Sequence, residues 1–324
     1  MWKTKTMPDD TKIDVVYTWV KDTPEFIAQK NSYLDNPEVE ANNSARFRDH
    51  DELKYSIRSV LKFIPWVNHI YIVTDNQIPD YINFNHPKVT LVSHQEIFKD
   101  TVYPNYNSNA IEWNLINIPN LNEHFIYFND DVFVGKPLKP NYFYNKTGIP
   151  IWALMKSSGK GNFHPSESAT IEGHRFTYRT IAENTGIKSK WKVDHAPMPL
   201  TKSMLEELVH TFSKEVESTK QNRFRQPTDF GPSRALPFYF LAIKKLKTHS
   251  VSRFFRINRH CIKIAVLSNA VKTRNLTQKA FKAIENKVTA TFAINDSEDT
   301  TETMKQQWIN RLKLIYSNKS EIEQ

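Results

Sequence analysis

The chain has 324 residues, of which 39% are hydrophobic and 12% aromatic. This composition is rich enough in apolar residues to form a packed core, and it excludes a wholly disordered chain. Glycine occurs only 7 times, which excludes a collagen-like or glycine-rich architecture. The formal net charge of +9 favours anionic partners such as nucleotides, phosphate polymers, nucleic acids or membrane surfaces, without choosing among them.

The cellular compartment can be predicted from the cysteine content and from the absence of long apolar runs. A single cysteine, Cys261, excludes an intrachain disulfide and a cysteine-rich zinc module, and is typical of a reducing cytoplasm. The first residues lack the apolar stretch of a secretory signal, and no run approaches the roughly 18 apolar residues of a spanning helix. We therefore expect a cytoplasmic protein.

The hydrophobic pattern predicts an α/β protein. Apolar, β-branched runs predict buried strands at residues 13–20, 69–74, 89–92 and 125–128. Apolar residues three or four positions apart predict helices at 49–64, 110–118, 203–216, 237–246 and 301–316. The alternation of strands and helices up to residue 150 indicates a sheet with crossover helices. Beyond residue 150 the pattern predicts a helical and irregular part, and we expect the polar tail after Ser317 to fray.

Carboxylates follow two of the predicted strands. Asp130 and Asp131 come directly after the strand at 125–128, and Asp75 follows the strand at 69–74. Ligands of open α/β sheets bind beyond the carboxyl ends of the strands. A pair of carboxylates at this edge suits a divalent cation that bridges a diphosphate, although such a pair can also simply cap the next turn.

No glycine-rich phosphate-binding motif is present, because neither GxGxxG nor GxxxxGK[ST] occurs. The GxSxG and HExxH motifs of hydrolases and zinc proteases are absent too. A nucleotide site would therefore need cationic side chains and a carboxylate-bound metal. The candidates are Arg46, Arg48, Arg58, His195, Arg223 and Arg225. The last two arginines could clamp a phosphate or form a surface salt-bridge cluster.

The segment 230–284 carries 12 Lys and Arg residues and no Asp or Glu. Two interpretations remain open for it. The segment can be a solvated basic face, or it can be a surface for a polyanion or an anionic membrane leaflet.

Several segments together resemble the conserved blocks of the Stealth family. They are IDVVYTWV (13–20), RFRDHDELKYSIRSVLKFIPWVNHIYIVTDNQIPDYI (46–82), AIEWNL (110–115), FIYFNDDVFVGKP (125–137), DHAPMPLTKSMLEEL (194–208) and AINDSED (293–299). The resemblance runs from about Lys12 to Asp299. The family includes bacterial capsular-polysaccharide phosphotransferases and the eukaryotic N-acetylglucosamine-1-phosphotransferase.

The resemblance implies one catalytic domain over residues 1–324. A mostly parallel, Rossmann-like (GT-A-like) core at 12–150 would bind the nucleotide sugar, and a helical part at 151–324 would complete the active site. The implied reaction is attack of a sugar hydroxyl on the β-phosphorus of a UDP-sugar, with release of UMP and formation of a phosphodiester. The chain lacks the inserted modules of the animal enzymes, which indicates the bacterial branch that makes capsules or cell-surface polysaccharides.

The resemblance also implies partners. The donor is expected to be a UDP-hexose or a UDP-N-acetylhexosamine. The acceptor is expected to be an oligosaccharide or polysaccharide on a lipid, with peripheral contact between the enzyme and the inner face of the cell membrane.

Site residues follow from matches to the family's motifs. The catalytic candidates are Glu112, Asp131, His195 and Arg225, with either Asp131 or His195 taking the proton of the hydroxyl. Positions expected around the nucleotide are Asp14, Arg48, Asp49 and Arg58. The ligands expected for Mg²⁺ or Mn²⁺ are Asp130, Asp131 and Asp296.

Two other functions compete with this interpretation. An ordinary nucleotide-sugar glycosyltransferase would share the donor but release UDP. A nucleic-acid-binding module would use the basic segment alone, and the acidic strand ends argue against it, so we expect no nucleic-acid partner.

Overall fold

The computed structural model describes most of the chain. The described residues are 6–34, 47–99, 101–156, 169–189, 191–193, 195–244, 261–264, 281–282, 284–287, 289–294 and 301–324.

Strands and helices alternate through the first half of the molecule. The strands are β1 (Ile13–Thr18), β2 (Ile70–Thr74), β3 (Val89–Ser93), β4 (His124–Asn129), β5 (Val132–Val134), β6 (Leu154–Lys156), β7 (Trp191–Val193), β8 (Met198–Thr201), β9 (Cys261–Ile264) and β10 (Thr291–Ile294). The α-helices are α1 (Pro24–Asn31), α2 (Glu52–Phe63), α3 (His94–Ile97), α4 (Ser108–Asn114), α5 (Ala169–Thr185), α6 (Lys202–Thr211), α7 (Ser213–Lys220), α8 (Pro232–Lys244) and α9 (Glu302–Ile315).

Within the described residues, the main sheet has the strand order β3-β2-β1-β4-β8. The first four strands are parallel, and β8 is antiparallel to β4. Thr18 at the end of β1 lies opposite Val73 of β2 and Asn129 of β4, so the carboxyl ends of these strands share one edge. This arrangement confirms the mostly parallel α/β sheet with crossover helices that the sequence predicts.

Burial of both faces of the strands explains why apolar and polar residues alternate so little along them. Val15 and Tyr17 of β1 pack into one hydrophobic cluster with α2, β5, β10 and α9, and Val16 packs into a second cluster with α4, α5, α6 and α8. Successive side chains of a strand point to opposite faces, so a strand covered on both faces is apolar throughout. The C-terminal part of the chain therefore covers both faces of the sheet.

Two predicted helices differ from the structure in detail. The helix predicted at 203–216 is divided at Phe212, which ends α6 and precedes α7 with a non-helical backbone. The buried ring of Phe212 packs against Phe230 and Tyr239, and this packing favours the break. The helix predicted at 237–246 begins earlier, at Pro232, and its last two predicted residues lie outside the described part of the chain.

A second sheet, of order β5-β10-β9, fixes the turn that follows β4. Phe133 of β5 lies opposite Phe292 of β10, and their rings stack. The Ser56 hydroxyl of α2 donates to the Val132 carbonyl oxygen. The Ile294 amide donates to the Asp131 carbonyl oxygen over 3.0 Å. The turn at Asp130 and Asp131 is thus held between the two sheets.

The prediction that the C-terminal tail frays is wrong. Ile322 is fully buried, and Glu323 forms an antiparallel bridge with Ile82. Arg58 of α2 donates two hydrogen bonds to the Glu323 carboxylate, from Nε over 2.8 Å and from Nη2 over 2.6 Å. Burial opposes ionisation of Glu323, but the hydrogen bonds from Arg58 and Ser320 lower its pKa.

This ion pair provides a test of stability that is separate from activity. Both side chains are at least nine-tenths buried, at 9% and 3% exposure. Replacing Arg58→Leu leaves the Glu323 carboxylate buried without its partner, so we expect the free energy of unfolding to fall by about 3 kcal/mol. Chemical denaturation measures this change.

The exposed pair Lys88–Glu321 provides the control, since its glutamate side chain is 52% exposed. Glu321→Gln is expected to change the stability by less than about 0.5 kcal/mol. Equal effects of the two variants would contradict the structural role assigned to Arg58.

None of the described helices is both long and apolar enough to cross a membrane.

Candidate active site

A cavity of about 490 Å³ opens at the carboxyl edge of the main sheet. Its lining includes Thr18 and Trp19 at the end of β1, and Asn129, Asp130 and Asp131 at the end of β4. Further walls come from α4, from α8 and from the segment before β8. The polar and charged residues that line the cavity include Arg48, Glu52, Ser108, Glu112, Tyr127, His195, Arg225, Ser233 and Arg234.

Asp131 and His195 meet at this cavity although 64 positions separate them in the chain. The Nε2 atom of His195 lies 2.9 Å from Oδ1 of Asp131 and 3.1 Å from Oδ2. The antiparallel pairing of β4 with β8 explains the contact. Tyr127 lies opposite Met198. In an antiparallel pair, the residues that follow β4 therefore lie next to the residues that precede β8. An ionised carboxylate only accepts hydrogen bonds, so His195 donates from Nε2.

Three carboxyl groups line the cavity, namely Glu52, Asp130 and Asp131, and Asp49 lies close enough to interact electrostatically with Glu52 and Asp130. Burial raises the pKa of Asp130 well above its usual range, and the charges of Asp131 and Asp49 raise it further. Burial also raises the pKa of Glu52, with a further contribution from Asp130. Burial and like charges therefore disfavour the ionised forms of Asp130 and Glu52, and a bound cation would favour them.

Only two of the three predicted metal ligands can be located at the cavity. Asp130 and Asp131 lie together in the cavity lining, whereas Asp296 is outside the described residues. Among the side chains that the structure describes, no group of three His, Cys, Asp or Glu is arranged to hold a metal ion. Hard carboxylate oxygens and the raised pKa of Asp130 nevertheless suit Mg²⁺ or Mn²⁺.

Glu112 of α4 has an unusual protonation equilibrium. Burial raises its pKa to about 7, while Arg234, hydrogen bonds from Ser233 and the charge of His195 oppose the rise. The Ser233 hydroxyl also accepts a hydrogen bond from Nη1 of Arg234 over 2.8 Å. A single chain of hydrogen bonds thus links Arg234, Ser233 and Glu112.

The raised pKa of Glu112 predicts a pH-dependent contribution to stability. Its ordinary pKa is 4.5, and the folded value is about 7. Between these values the unfolded carboxyl ionises while the folded one stays protonated, so the free energy of unfolding falls as pH rises. Glu112→Gln cannot ionise, and we expect this part of the fall to disappear.

Denaturation of both proteins across pH 4 to 8, in steps of about half a unit, measures the difference. Other buried carboxylates titrate in both proteins and cancel in the comparison. Parallel stability curves for the two proteins would contradict the raised pKa.

Arg225 is fixed in the loop between α7 and α8. Its Nη1 atom donates to the Thr170 hydroxyl over 3.0 Å, and Nη2 donates to the Ser108 hydroxyl over 2.6 Å. The loop itself is held by Asp229, whose carboxylate accepts hydrogen bonds from Asn107 and Asn222, each over 2.8 Å. This network presents the guanidinium of Arg225 at the cavity in one orientation.

The residues predicted around the nucleotide are not all brought together. Arg48 lines the cavity. Asp49 does not line it, and its carboxylate lies 3.9 Å from Nζ of Lys21. Burial raises the pKa of Asp49, and Lys21 opposes the rise. The candidate Arg46 lies outside the described residues.

Asp14 and Arg58 do not line the cavity. Asp14 is fully buried near the start of β1, roughly 13 Å of strand from Thr18. It accepts hydrogen bonds from Asn68 over 2.7 Å and from Asn122 over 2.8 Å. Asn68 precedes β2 and Asn122 precedes β4, so Asp14 joins the amino ends of three strands. The structure thus gives Asp14 a structural environment, as it does for Arg58 beside Glu323.

Two other predicted positions also lie outside the cavity lining. Asp75 follows β2, and Tyr103 donates a hydrogen bond to its carboxylate over 2.9 Å. Arg223 lies 3.8 Å from the ring centroid of Tyr33, in a cation–π contact. Of the two arginines proposed as a phosphate clamp, only Arg225 lines the cavity.

Sequence reasoning did not single out Ser233, Tyr127 or Arg234 as cavity residues. Arg234 was counted only among the cations of the basic segment. Arg234 is the third residue of α8, and the residues that follow it are mostly apolar and buried. A charged side chain near the start of such an apolar helix is the sequence signal that indicates a possible cavity residue. Within the same basic segment Lys282 is exposed, and most of the other cations lie outside the described residues.

The cavity-lining regions coincide with two conserved regions of a known family. A model described as Stealth protein CR2, conserved region 2, matches residues 46–151. A model described as Stealth protein CR3, conserved region 3, matches residues 194–235. The first match contains Glu112 and Asp131, and the second contains His195, Arg225 and Arg234.

Several bacterial proteins are similar to the chain over most of its length. "Capsular polysaccharide phosphotransferase fcs1" of Haemophilus influenzae is 39% identical, and the match covers 76% of this chain and 70% of that protein. "Capsular polysaccharide phosphotransferase LcbA" of Aeromonas hydrophila is 36% identical over 72% of this chain and 71% of that protein. "Exopolysaccharide phosphotransferase SCO6023" of Streptomyces coelicolor is 36% identical, covering 72% of this chain and 41% of its own length.

Among solved structures, the galactosyltransferase LgtC in complex with donor and acceptor sugar analogs aligns with 94% of this chain and 95% of its own. The TM-score is 0.43 and the identity is 10%. A TM-score below 0.5 does not establish a common fold. The assignment of this chain to the α/β class therefore rests on its observed strand order.

Proposed function

The chain belongs to the Stealth family, and we propose that it is a sugar-1-phosphate transferase of bacterial polysaccharide synthesis. A UDP-sugar binds in the cavity, a hydroxyl of the acceptor attacks the β-phosphorus, and UMP leaves. The product is a phosphodiester between two sugars of a capsule or another cell-surface polysaccharide. The observation that carries the proposal is the hydrogen bond between His195 and Asp131 at a cavity that Arg225 also lines.

The proton of the attacking hydroxyl passes to the His195–Asp131 pair. In the tautomer that donates from Nε2 to Asp131 and carries no proton on Nδ1, the imidazole of His195 accepts the proton at Nδ1. The carboxylate of Asp131 stabilises the imidazolium that forms. The new bond joins the acceptor oxygen to the β-phosphorus, and the bond from that phosphorus to the oxygen shared with the α-phosphate breaks. The electron pair leaves with UMP.

Two features of the cavity suit a phosphorylated sugar donor. Its volume of about 490 Å³ lies within the range of about 300–1,000 Å³ that is usual for small-molecule sites. The guanidiniums of Arg48 and Arg225 line it and neutralise charge on phosphate oxygens.

Asp130 and Asp131, together with Asp296, are the residues that would hold a divalent cation. When bound, Mg²⁺ or Mn²⁺ supplies charge neutralisation at a diphosphate. Asp131 also contacts His195 through both carboxylate oxygens.

The finer identity of the partners belongs to the same proposal. The donor is a UDP-hexose or UDP-N-acetylhexosamine, and the acceptor is a saccharide carried on a lipid at the inner face of the cell membrane. The excess of Lys and Arg in the basic segment 230–284 favours association with that anionic surface or with the growing polymer. Cytoplasmic location and peripheral membrane contact are expected on this basis.

The decisive experiment identifies the nucleotide product. The protein is incubated with a panel of UDP-sugars and a saccharide acceptor, the nucleotide is separated by chromatography, and the saccharide is analysed by phosphorus NMR. Release of UMP together with a phosphodiester signal is expected. Release of UDP with a saccharide that contains no phosphorus would instead identify a glycosyltransferase.

A further inference from the structure

The start of α8 is fixed firmly against its neighbours. The Gly231 amide donates to the Thr177 hydroxyl over 3.0 Å, and the Trp113 indole donates to the Phe230 carbonyl oxygen over 2.6 Å. A Cβ atom at Gly231 would lie only 2.7 Å from Oδ1 of Asn109, so glycine permits close contact with α4. The first side chains of α8 therefore enter the cavity from a rigid base.

The positive charge of the Arg234 guanidinium has little electrostatic compensation in the cavity. Its Nη1 atom donates to the Ser233 hydroxyl, and it forms no ion pair within the described part of the chain. Burial lowers the pKa of Arg234, and the charge of Glu112 opposes this only partly. A cation held in a cavity without an ion-pair partner is costly unless an anion binds beside it.

Arg225 and Arg234 both interact with residues of helix α4. Arg225 donates to Ser108, and Arg234 is linked to Glu112 through Ser233. Ser108 and Glu112 are four residues apart, so they lie on one face of α4, separated by roughly 6 Å along its axis. Both guanidiniums line the same cavity, and the α4 residues near which they are held, Ser108 for Arg225 and Glu112 for Arg234 through Ser233, lie one helical turn apart.

We infer that Arg234 is a further phosphate-binding arginine beside Arg48 and Arg225, and that it acts with Arg225 to hold the two phosphates of the donor. The inference rests on the proposed function for the identity of that donor. Two guanidiniums at one cavity suit a diphosphate better than a single phosphate, because each can bind a different phosphate group. Arg234 thereby selects donors with a diphosphate over nucleosides and monophosphates.

The test measures binding, which needs no chemical step. Titration calorimetry is carried out with UDP, UMP and uridine as separate ligands, on the wild-type protein and on Arg234→Gln and Arg234→Lys. Arg234→Gln is expected to weaken UDP binding by about 10- to 100-fold and to leave uridine binding unchanged. Arg234→Lys keeps a positive charge without the planar fork, so an intermediate loss is expected.

Two further variants separate phosphate binding from other roles. Arg179→Gln removes a guanidinium from an exposed position on α5, at 45% exposure, and should bind UDP like the wild type. Ser233→Ala breaks the hydrogen-bond link to Glu112. If Arg234 acted only by positioning Glu112, Ser233→Ala and Arg234→Gln would weaken UDP binding equally, and the inference would be overturned.

The remaining outcomes are equally decisive. The inference would be overturned if folded Arg234→Gln bound UDP as tightly as the wild type, or if it lost affinity equally for UDP and uridine. A wild-type protein that does not prefer UDP to uridine would overturn it too. Failure of the proposed function looks different. In that case the wild type binds UDP tightly and depends on Arg234, yet it yields no UMP and no phosphodiester with any UDP-sugar.

Discussion

Asp131→Asn is expected to lower the rate of phosphodiester formation by about 10²- to 10⁴-fold while the protein stays folded. The substitution conserves shape but removes the charge that His195 contacts over 2.9 Å. Without this charge the imidazolium loses its stabilising partner, and the amide can favour the wrong tautomer of the ring. Steady-state assays of UMP release measure the loss, and circular dichroism checks the fold.

A double-mutant cycle sharpens this test. Asp131→Asn, His195→Gln and the double variant are compared in the same assay. If the two residues act as one unit, the double variant is about as slow as the slower single variant. Losses that multiply, or retention of more than about a tenth of wild-type activity by Asp131→Asn, would contradict the assigned role.

Arg225→Ala is expected to lower kcat/KM by about 10²- to 10³-fold, with the larger part of the effect in kcat. Arg225 is held by Ser108 and Thr170, and in the proposed reaction it supplies fixed positive charge where the transferred phosphoryl group becomes more negative. Arg225→Lys should restore little, because an ammonium cannot bind both hydroxyls and a phosphate in the geometry of a planar fork. Initial rates across a range of UDP-sugar concentrations separate kcat from KM.

Arg223 provides a matched control two positions earlier in the same loop. Its guanidinium lies over the ring of Tyr33 and does not line the cavity. Arg223→Ala should keep kcat within about twofold of the wild type, since it removes the same charge from a site outside the cavity. Equal losses in the two arginine variants would indicate a general charge effect and not a role for Arg225.

The sequence predicted the central strands well because their environment is simple. Strands β1, β2 and β4 are covered on both faces, and apolar runs are the direct consequence. The position of Asp130 and Asp131 at the cavity also followed from the sequence, since residues after a parallel strand meet at one edge of the sheet.

Other assignments could not be made from local patterns. Strand β8 is short and contains a proline, so nothing in its sequence predicts an antiparallel partner for β4. Arg58 and Asp14 carry the same charges as cavity residues. Their burial beside Glu323 and beside two asparagines became visible only with the fold.

The sequence by itself determined the α/β class, the acidic edge of the sheet and the resemblance to the Stealth family, because each depends on residues that are close together in the chain. The tertiary structure alone decided which charged side chains share the cavity. His195 reaches Asp131 through the pairing of β4 with β8, and Arg234 enters from a helix that packs on α4. Contacts of this kind depend on long-range packing, and the identity of a charged residue does not reveal whether it binds a ligand or a buried partner.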